Sequence, residues 1–219
     1  MGNGAHGENS NSPRDNLIIS SVKKGGTRAA GYKVNFSDGS SFFLLNEILL
    51  QEGLVEGDEI TADRIALLKE KSSSLEVQKK ALDLLTRAPH STQTLKLKLL
   101  SRGYAPEIIA SVLERLIELS YLDDRLFAEE WLRSRLLRHP EGRSALLAGL
   151  LRRGIAREIA EDVTDSIFTI KAEEECARRL MDKLKDKADL SEQELTARLL
   201  ARRFRYRVIR ELIAEAEQA

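Results

Sequence analysis

LLSRGYAPEIIASVLERL (Leu99–Leu116), LLRRGIAREIAEDVTDSI (Leu150–Ile167) and LLARRFRYRVIRELIAEA (Leu199–Ala216) align without gaps, at offsets of 51 and 49 residues. Five columns carry an apolar side chain larger than alanine in all three copies: Leu99/Leu150/Leu199, Leu100/Leu151/Leu200, Tyr104/Ile155/Phe204, Ile108/Ile159/Val208 and Val112/Val163/Leu212. The last three are spaced by four, the interval that keeps side chains on one face of a helix. Ahead of that helix, Gly103 and Gly154 supply a left-handed stop for the preceding one. Pro106 follows at the start of the next helix, where its missing N–H costs nothing.

Upstream of each pair lies a further helical segment, at Leu75–Arg87, Asp124–Arg138 and Ala172–Lys185, so each repeat is three helices. Ser91 is placed to cap the second helix of the first copy, and Ser191-Glu192-Gln193-Glu194 is a capping box at the equivalent place in the third. A module of about 50 residues is marginal alone, so three in series stabilise one another as repeat proteins do. At roughly 25 Å per compact module, three end to end would reach on the order of 75 Å, a shape suited to lying along a large partner.

Before the repeats the texture is β. LIISSV from Leu17, the alternating Tyr32–Phe36 run, the Ser37-Asp38-Gly39 turn and SFFLL predict a hairpin with a third strand. Three short strands bury too little apolar area to stand alone, and a short helix from Asn46 as cap to Gly53 just past its end is placed to cover one face. The expected fold class is therefore mainly α: three tandem three-helix repeats forming an elongated modular chain, with a small N-terminal β-hairpin or three-stranded element. The expected divisions are a disordered tail at 1–16, the β element with its short helix at 17–60, and helical repeats at 61–120, 121–170 and 171–219.

The chain has 219 residues, 42% of them hydrophobic, and its 35 basic and 35 acidic side chains cancel. A global basic field that would draw in nucleic acid is thus absent. The one cysteine, Cys176, forms no internal disulfide and suits a reducing compartment. No apolar run approaches the roughly 18 residues of a membrane span, and a cytoplasmic location with no membrane partner is expected. None of the glycine-rich phosphate loops, the nucleophile elbow or the H-E-x-x-H zinc motif occurs. His6, His90 and His139 are scattered, and Cys176 sits on an apolar helix flank near Leu180 as a small core residue. No catalytic residue, cofactor or metal is expected, and the chain reads as non-enzymatic.

Charge is local. Arg133 to Arg157 carries seven arginines against Glu141, Arg198 to Arg210 six against no acid, and Glu107 to Glu130 seven acids against Arg115 and Arg125. Arg102, Arg153 and Arg202 share one column in the last turn of the second helix, where a cation is stabilised by the helix dipole. The functional alternative is a row of guanidinium groups facing a repetitive acidic or phosphate-bearing partner. Candidate partner or DNA contacts are Arg102, Arg133, Arg135, Arg143, Arg152, Arg153, Arg198, Arg202, Arg205 and Arg207. A helix-turn-helix reading would lay the last helix of a repeat in the major groove. The first two copies are acidic there, through Glu107, Glu114 and Glu118 and through Glu158, Glu161, Asp162 and Asp165, which argues against sequence-specific DNA binding.

YLDDRLFAEEWLRSR (Tyr121–Arg135) raises the question of a carboxylate pair. Adjacent helical residues point about 100° apart, a poor geometry for sharing a metal or proton. Asp123 as cap and Asp124 in the first turn explain the pair as a helix start. Phe127, Trp131 and Arg135, with Ala128, Leu132 and Leu136 beside them, form a packing face expected to tie repeat 2 to repeat 1. An exposed Asp124 is left as a possible partner contact.

The Tyr121-Leu122-Asp123-Asp124-x-x-Phe127-Ala128 run, followed by Arg135, Gly142-Arg143 and Leu-Leu-x-x-Gly-Ile from Leu150 to Ile155, resembles the RecX family of RecA recombinase regulators. The resemblance extends to the β element with its Leu54-Val55-Glu56-Gly57-Asp58 turn and to the three tandem repeats. Ser120 and Arg203 stand where the family usually has glycine. The resemblance implies a monomer that lies in the groove of the RecA filament on DNA, contacts successive protomers, and lowers ATPase, strand-exchange and coprotease activity. Linked weak contacts from a modular chain would gain affinity through effective concentration. The residues alone leave two alternatives, a stand-alone module binding single- or double-stranded DNA without sequence specificity, and a helical-repeat scaffold.

Overall fold

The computed structural model describes residues 16–25 and 31–217. The tail expected at 1–16 lies outside the described residues except for Asn16. The chain divides into two compact units, Met1–Lys80 and Ala81–Ala219. The expected class is observed: helices dominate, a small antiparallel sheet precedes them, and the helices after it group in threes.

In the first unit, β1 (Leu17–Lys24), β2 (Gly31–Phe36), β3 (Ser41–Leu45) and β4 (Glu59–Ile60) form one antiparallel sheet in the order β3-β2-β1-β4. The expectation of three strands is corrected to four. The fourth is two residues long and has no alternating pattern of its own; Gly57 at φ 93 and the Val55–Asp58 turn deliver it to β1, where Ile19 and Asp58 bond backbone to backbone at 2.9 Å. The buried side chains Val34, Phe36, Phe42 and Leu44 alternate along β2 and β3 and pack on α1 (Asn46–Glu52). Asn46 is not the cap of α1: Leu45 is, with no side-chain bond, while Gly53 ends the helix at φ 64 as expected.

The helix expected at Leu75–Arg87 begins much earlier, and α2 runs unbroken from Ala62 to Arg87. Its three-serine stretch, Ser72–Ser74, suggests a break, but Ser72 is buried and its hydroxyl accepts from the Leu45 N–H at 3.1 Å. A backbone donor at the end of β3 thus holds the serine inside the helix.

Within the second unit, α3 (Thr92–Leu100) and α4 (Pro106–Glu118) complete repeat 1. Repeat 2 is α5 (Asp124–Arg138), α6 (Arg143–Leu151) and α7 (Arg157–Ile167); repeat 3 is α8 (Ile170–Lys185), α9 (Glu192–Ala201) and α10 (Tyr206–Glu217). The caps form as the sequence predicts. Ser91 accepts from the Thr94 N–H, Asp123 from those of Arg125 and Leu126, and the Ser191–Glu194 capping box closes in both directions. Among the described residues, no helix is long and apolar enough to cross a membrane.

The repeat columns are buried unequally. Leu99, Leu150 and Leu199 are fully buried, whereas Leu100 and Leu151 are half-buried and Leu200 is exposed. The column one residue beyond Ile108/Ile159/Val208 goes deepest, with Ile109, Ala160 and Ile209 fully buried. Small Ala160 sits there between two isoleucines, which hides the column from a count of large apolar side chains. The packing face of α5 serves more than repeat 1, where Phe127 and Trp131 line a cleft with Pro89. Ala128 and Leu132 belong to one continuous core with Leu150, Phe168, Cys176, Leu180, Leu199 and Phe204, which joins repeat 2 to repeat 3.

Polar contacts join the repeats. Between repeats 1 and 2, the fully buried Ser91 donates its hydroxyl to the Arg153 carbonyl, and the Thr92 N–H donates to Asp124 at 2.7 Å. Between repeats 2 and 3, the Gly142 N–H donates to the Arg202 carbonyl at 2.9 Å, and a Cβ at Gly142 would lie 2.0 Å from the Arg203 carbonyl oxygen. Each joint sets the head of one repeat's second helix on the turn after the next repeat's second helix.

Ser120 (φ 59) and Arg203 (φ 63) are the non-glycine residues with positive φ among the described residues, and both replace an expected glycine. A left-handed conformation costs an L-residue roughly 1–2 kcal/mol, and glycine returns part of that as unfolded-chain entropy. Ser120→Gly and Arg203→Gly should each stabilise the protein by about 0.5–1 kcal/mol, read as a higher denaturation midpoint at unchanged slope.

Candidate functional site

Five of the ten candidate arginines are ion-paired with this chain's own acids. Arg133 pairs with Glu129 at 3.1 Å and Arg207 with Glu211 at 2.8 Å, both one helical turn away. Arg135 grips Glu141 through two bonds of 3.1 and 2.7 Å, and Arg143 grips Asp165 through two of 2.6 and 2.8 Å. The second pair holds the Asp165 carboxyl below its ordinary range and raises Arg143, because the hydrogen bond favours both charged forms. Arg205 meets Glu173, whose side chain is completely buried and which also accepts the Arg205 N–H at 3.0 Å.

The Arg102/Arg153/Arg202 column divides. Arg102 donates to the Lys98 carbonyl and Arg153 to the Gly149 carbonyl, each four residues back, which is the helix-end role its position predicts. Arg153 also stacks on Trp131, 4.4 Å from the ring centre, while Gly149 leaves room for the edge of that ring. Partial burial, then Arg135 and Arg152 nearby, pushes the Arg153 guanidinium down from its usual value. Asp124 is half-buried and accepts from Thr92, so its carboxylate serves the joint between repeats 1 and 2. In the family motif Leu122 and Ala128 are buried, Phe127 is half-buried against the shared core, Asp123 is the cap, and Tyr121 is exposed.

Arg198, one turn beyond Glu194, adds to the Ser191 hydrogen bonds in holding that carboxyl down. Arg152 and Arg202 have no side-chain partner among the described residues, and the fold brings them together. One cleft is lined by Arg135, Glu141, Ala145, Ala148, Arg152, Ala201, Arg202 and Arg203. Arg202 also borders an adjoining cleft with Arg138, His139, Pro140, Leu180, Lys183, Leu184 and Lys187. The two form a basic surface across the joint of repeats 2 and 3. Its lining acid is Glu141, already held by Arg135. Alanine, leucine and proline carbon lines the clefts beside the exposed cations Arg138, Arg152, Arg202 and Arg203, an arrangement suited to an acidic surface or a phosphate backbone.

Arg138, Lys183, Lys187 and Arg203 were not among the sequence candidates. They come from α5, from α8 and its following turn, and from the α9–α10 turn, and only packing unites them. One signal was available: Arg138 and Lys187 stand at the same 49-residue offset as Ala128 and Ala177.

Comparison with known proteins reaches the first two repeats. Residues 79–116 match the RecX first three-helix domain, and residues 123–163 match the RecX second three-helix domain. The regulatory protein RecX of a Mycobacterium species (strain JLS) is 39% identical over 132 residues, covering 56% of this chain and 70% of that protein. The chain belongs to the RecX family. The regulatory protein RecX of Treponema pallidum (strain Nichols) is 41% identical over 105 residues, covering 48% of this chain, and this chain spans 64% of that relative's length. A crystal structure of regulatory protein RecX aligns with a TM-score of 0.71 at 20% identity, covering 91% of this chain and 99% of the other. RecX from Lactobacillus salivarius aligns at 0.62 and 24% identity, over 67% of this chain and 98% of the other. At those identities the two structures speak to the fold.

Proposed function

We propose that this RecX-family chain is a non-enzymatic, cytoplasmic regulator that binds the RecA–DNA filament along its groove and lowers its ATPase, strand-exchange and coprotease activities. The observation that carries the reading is the basic surface of Arg138, Arg152, Arg202 and Arg203 in a chain whose relatives are named regulatory protein RecX. A filament presents one surface at regular intervals, and a chain of repeats can meet several such surfaces at once. The basic surface would face acidic protomer patches or the DNA phosphates between them.

The same cations favour a second reading, DNA binding without RecA, whose affinity would fall steeply with salt. Co-sedimentation separates the two. The protein should pellet with RecA filaments on single-stranded DNA at physiological salt and stay in the supernatant with the DNA alone. Equal pelleting with bare DNA would favour the stand-alone module, and no pelleting with either would remove both readings.

A further inference from the structure

The second unit carries, at its two open ends, the residues of a joint that is closed inside it. Where repeats 1 and 2 meet, Ser91 donates to the Arg153 carbonyl, and Gln93 lies so close over Gly154 that a Cβ there would come within 2.3 Å of the Gln93 Cβ. The same cap recurs at the head of α9 as Ser191-Glu192-Gln193. The same turn recurs after α3 as Arg102-Gly103, with Gly103 at φ 84 against 76 for Gly154. Both copies are unengaged. Ser191 is exposed where Ser91 is fully buried, and a Cβ on Gly103 would meet nothing within 4 Å. The joint of repeats 2 and 3 uses a different pairing, a glycine cap on an arginine turn, so the ends match the first joint in particular.

Charge favours the same match. The cap end presents Glu192, which has no partner among the described residues, and the turn end presents Lys98 and Arg102. Beside Ser191, a groove lined by Glu192, Thr196, Tyr206, Ile209, Arg210 and Ile213 lies open between α9 and α10.

We propose that the head of α9 in one chain docks on the α3 turn of a second copy, repeating the joint between repeats 1 and 2. The Ser191 hydroxyl, which within one chain donates to Glu194, turns its proton to the Arg102 carbonyl of the neighbour, and Gln193 covers the neighbour's Gly103. The contact uses different patches on the two copies, so it extends head to tail without closing. The bond from Thr92 to Asp124 has no counterpart, because α2 continues where repeat 2 starts a helix at Asp124. The contact is therefore small and weak, below the roughly 1,000 Å² of a stable interface, and a dilute chain remains monomeric.

Sedimentation velocity of the full chain under reducing conditions, from about 10 μM to about 1 mM, tests this across the range where weak contacts of millimolar strength populate. The weight-average sedimentation coefficient should rise with concentration, and Gly103→Arg should abolish the rise. Arginine is accepted in this kind of turn, as Arg203 at φ 63 shows. If Gly103→Arg loses its helical circular dichroism, Gln193→Arg, at an exposed position, replaces it as the blocking variant. A flat coefficient in the parent chain, or a rise that survives in a folded blocking variant, would overturn the proposal.

Discussion

Reversing Arg138, Arg152 and Arg202 to glutamate should weaken inhibition of the RecA ATPase by about 100-fold or more while the protein stays folded. Each cation lost from an acidic interface is worth roughly 1 kcal/mol, 1.4 kcal/mol is a factor of ten, and reversal adds repulsion. None of the three has a side-chain partner among the described residues, so folding loses only the charge at three helix ends. The control is Arg133→Gln with Arg207→Gln, whose side chains are already paired along their own helices with Glu129 and Glu211. That variant should inhibit within about twofold of the parent, since pairs of this kind are worth only a few tenths of a kcal/mol. Equal loss in the two variants would show that net charge, rather than the basic surface, governs binding.

Arg205→Ala should produce the largest loss of stability among the candidate arginines, about 2–4 kcal/mol, because it leaves a buried carboxylate short of its partner. Glu173 is completely buried, and after the change only the backbone N–H of residue 205 would remain to satisfy it. Replacing both partners with apolar side chains, Glu173→Leu and Arg205→Met, should recover most of the loss. Chemical denaturation of the two variants checks this. A single variant within 0.5 kcal/mol of the parent, a difference typical of neutral surface changes, would mean the pair is not a strut.

These two arginines show what the sequence could and could not reveal. Arg202 and Arg205 stand three residues apart in one basic run and read alike as partner contacts. Their difference lies in Glu173, which is distant in sequence and reaches Arg205 only once α8 packs on α10. The repeats were legible because the 51- and 49-residue offsets carry caps, glycine turns and apolar columns together. Boundaries set by a local residue, such as Asp123, Ser91 and Ser191, came out as the capping rules require. Those set by tertiary contact did not: α2 passes through its serines because Ser72 is buried against Leu45, and the fourth strand exists because the Val55–Asp58 turn delivers it to β1. That Ala128 and Leu132 of α5 also join the core of repeat 3 was likewise invisible, since they are generic core residues.

The central claim is regulation of RecA through its filament, and DNA-dependent ATP hydrolysis by RecA tests it most directly. The protein is titrated with single-stranded DNA in excess, so that competition for bare DNA has no effect. The account predicts a slower rate at well under one chain per RecA protomer, with the Arg138/Arg152/Arg202 reversal variant inactive over the same range. An unchanged rate at stoichiometric excess of the parent chain would contradict it.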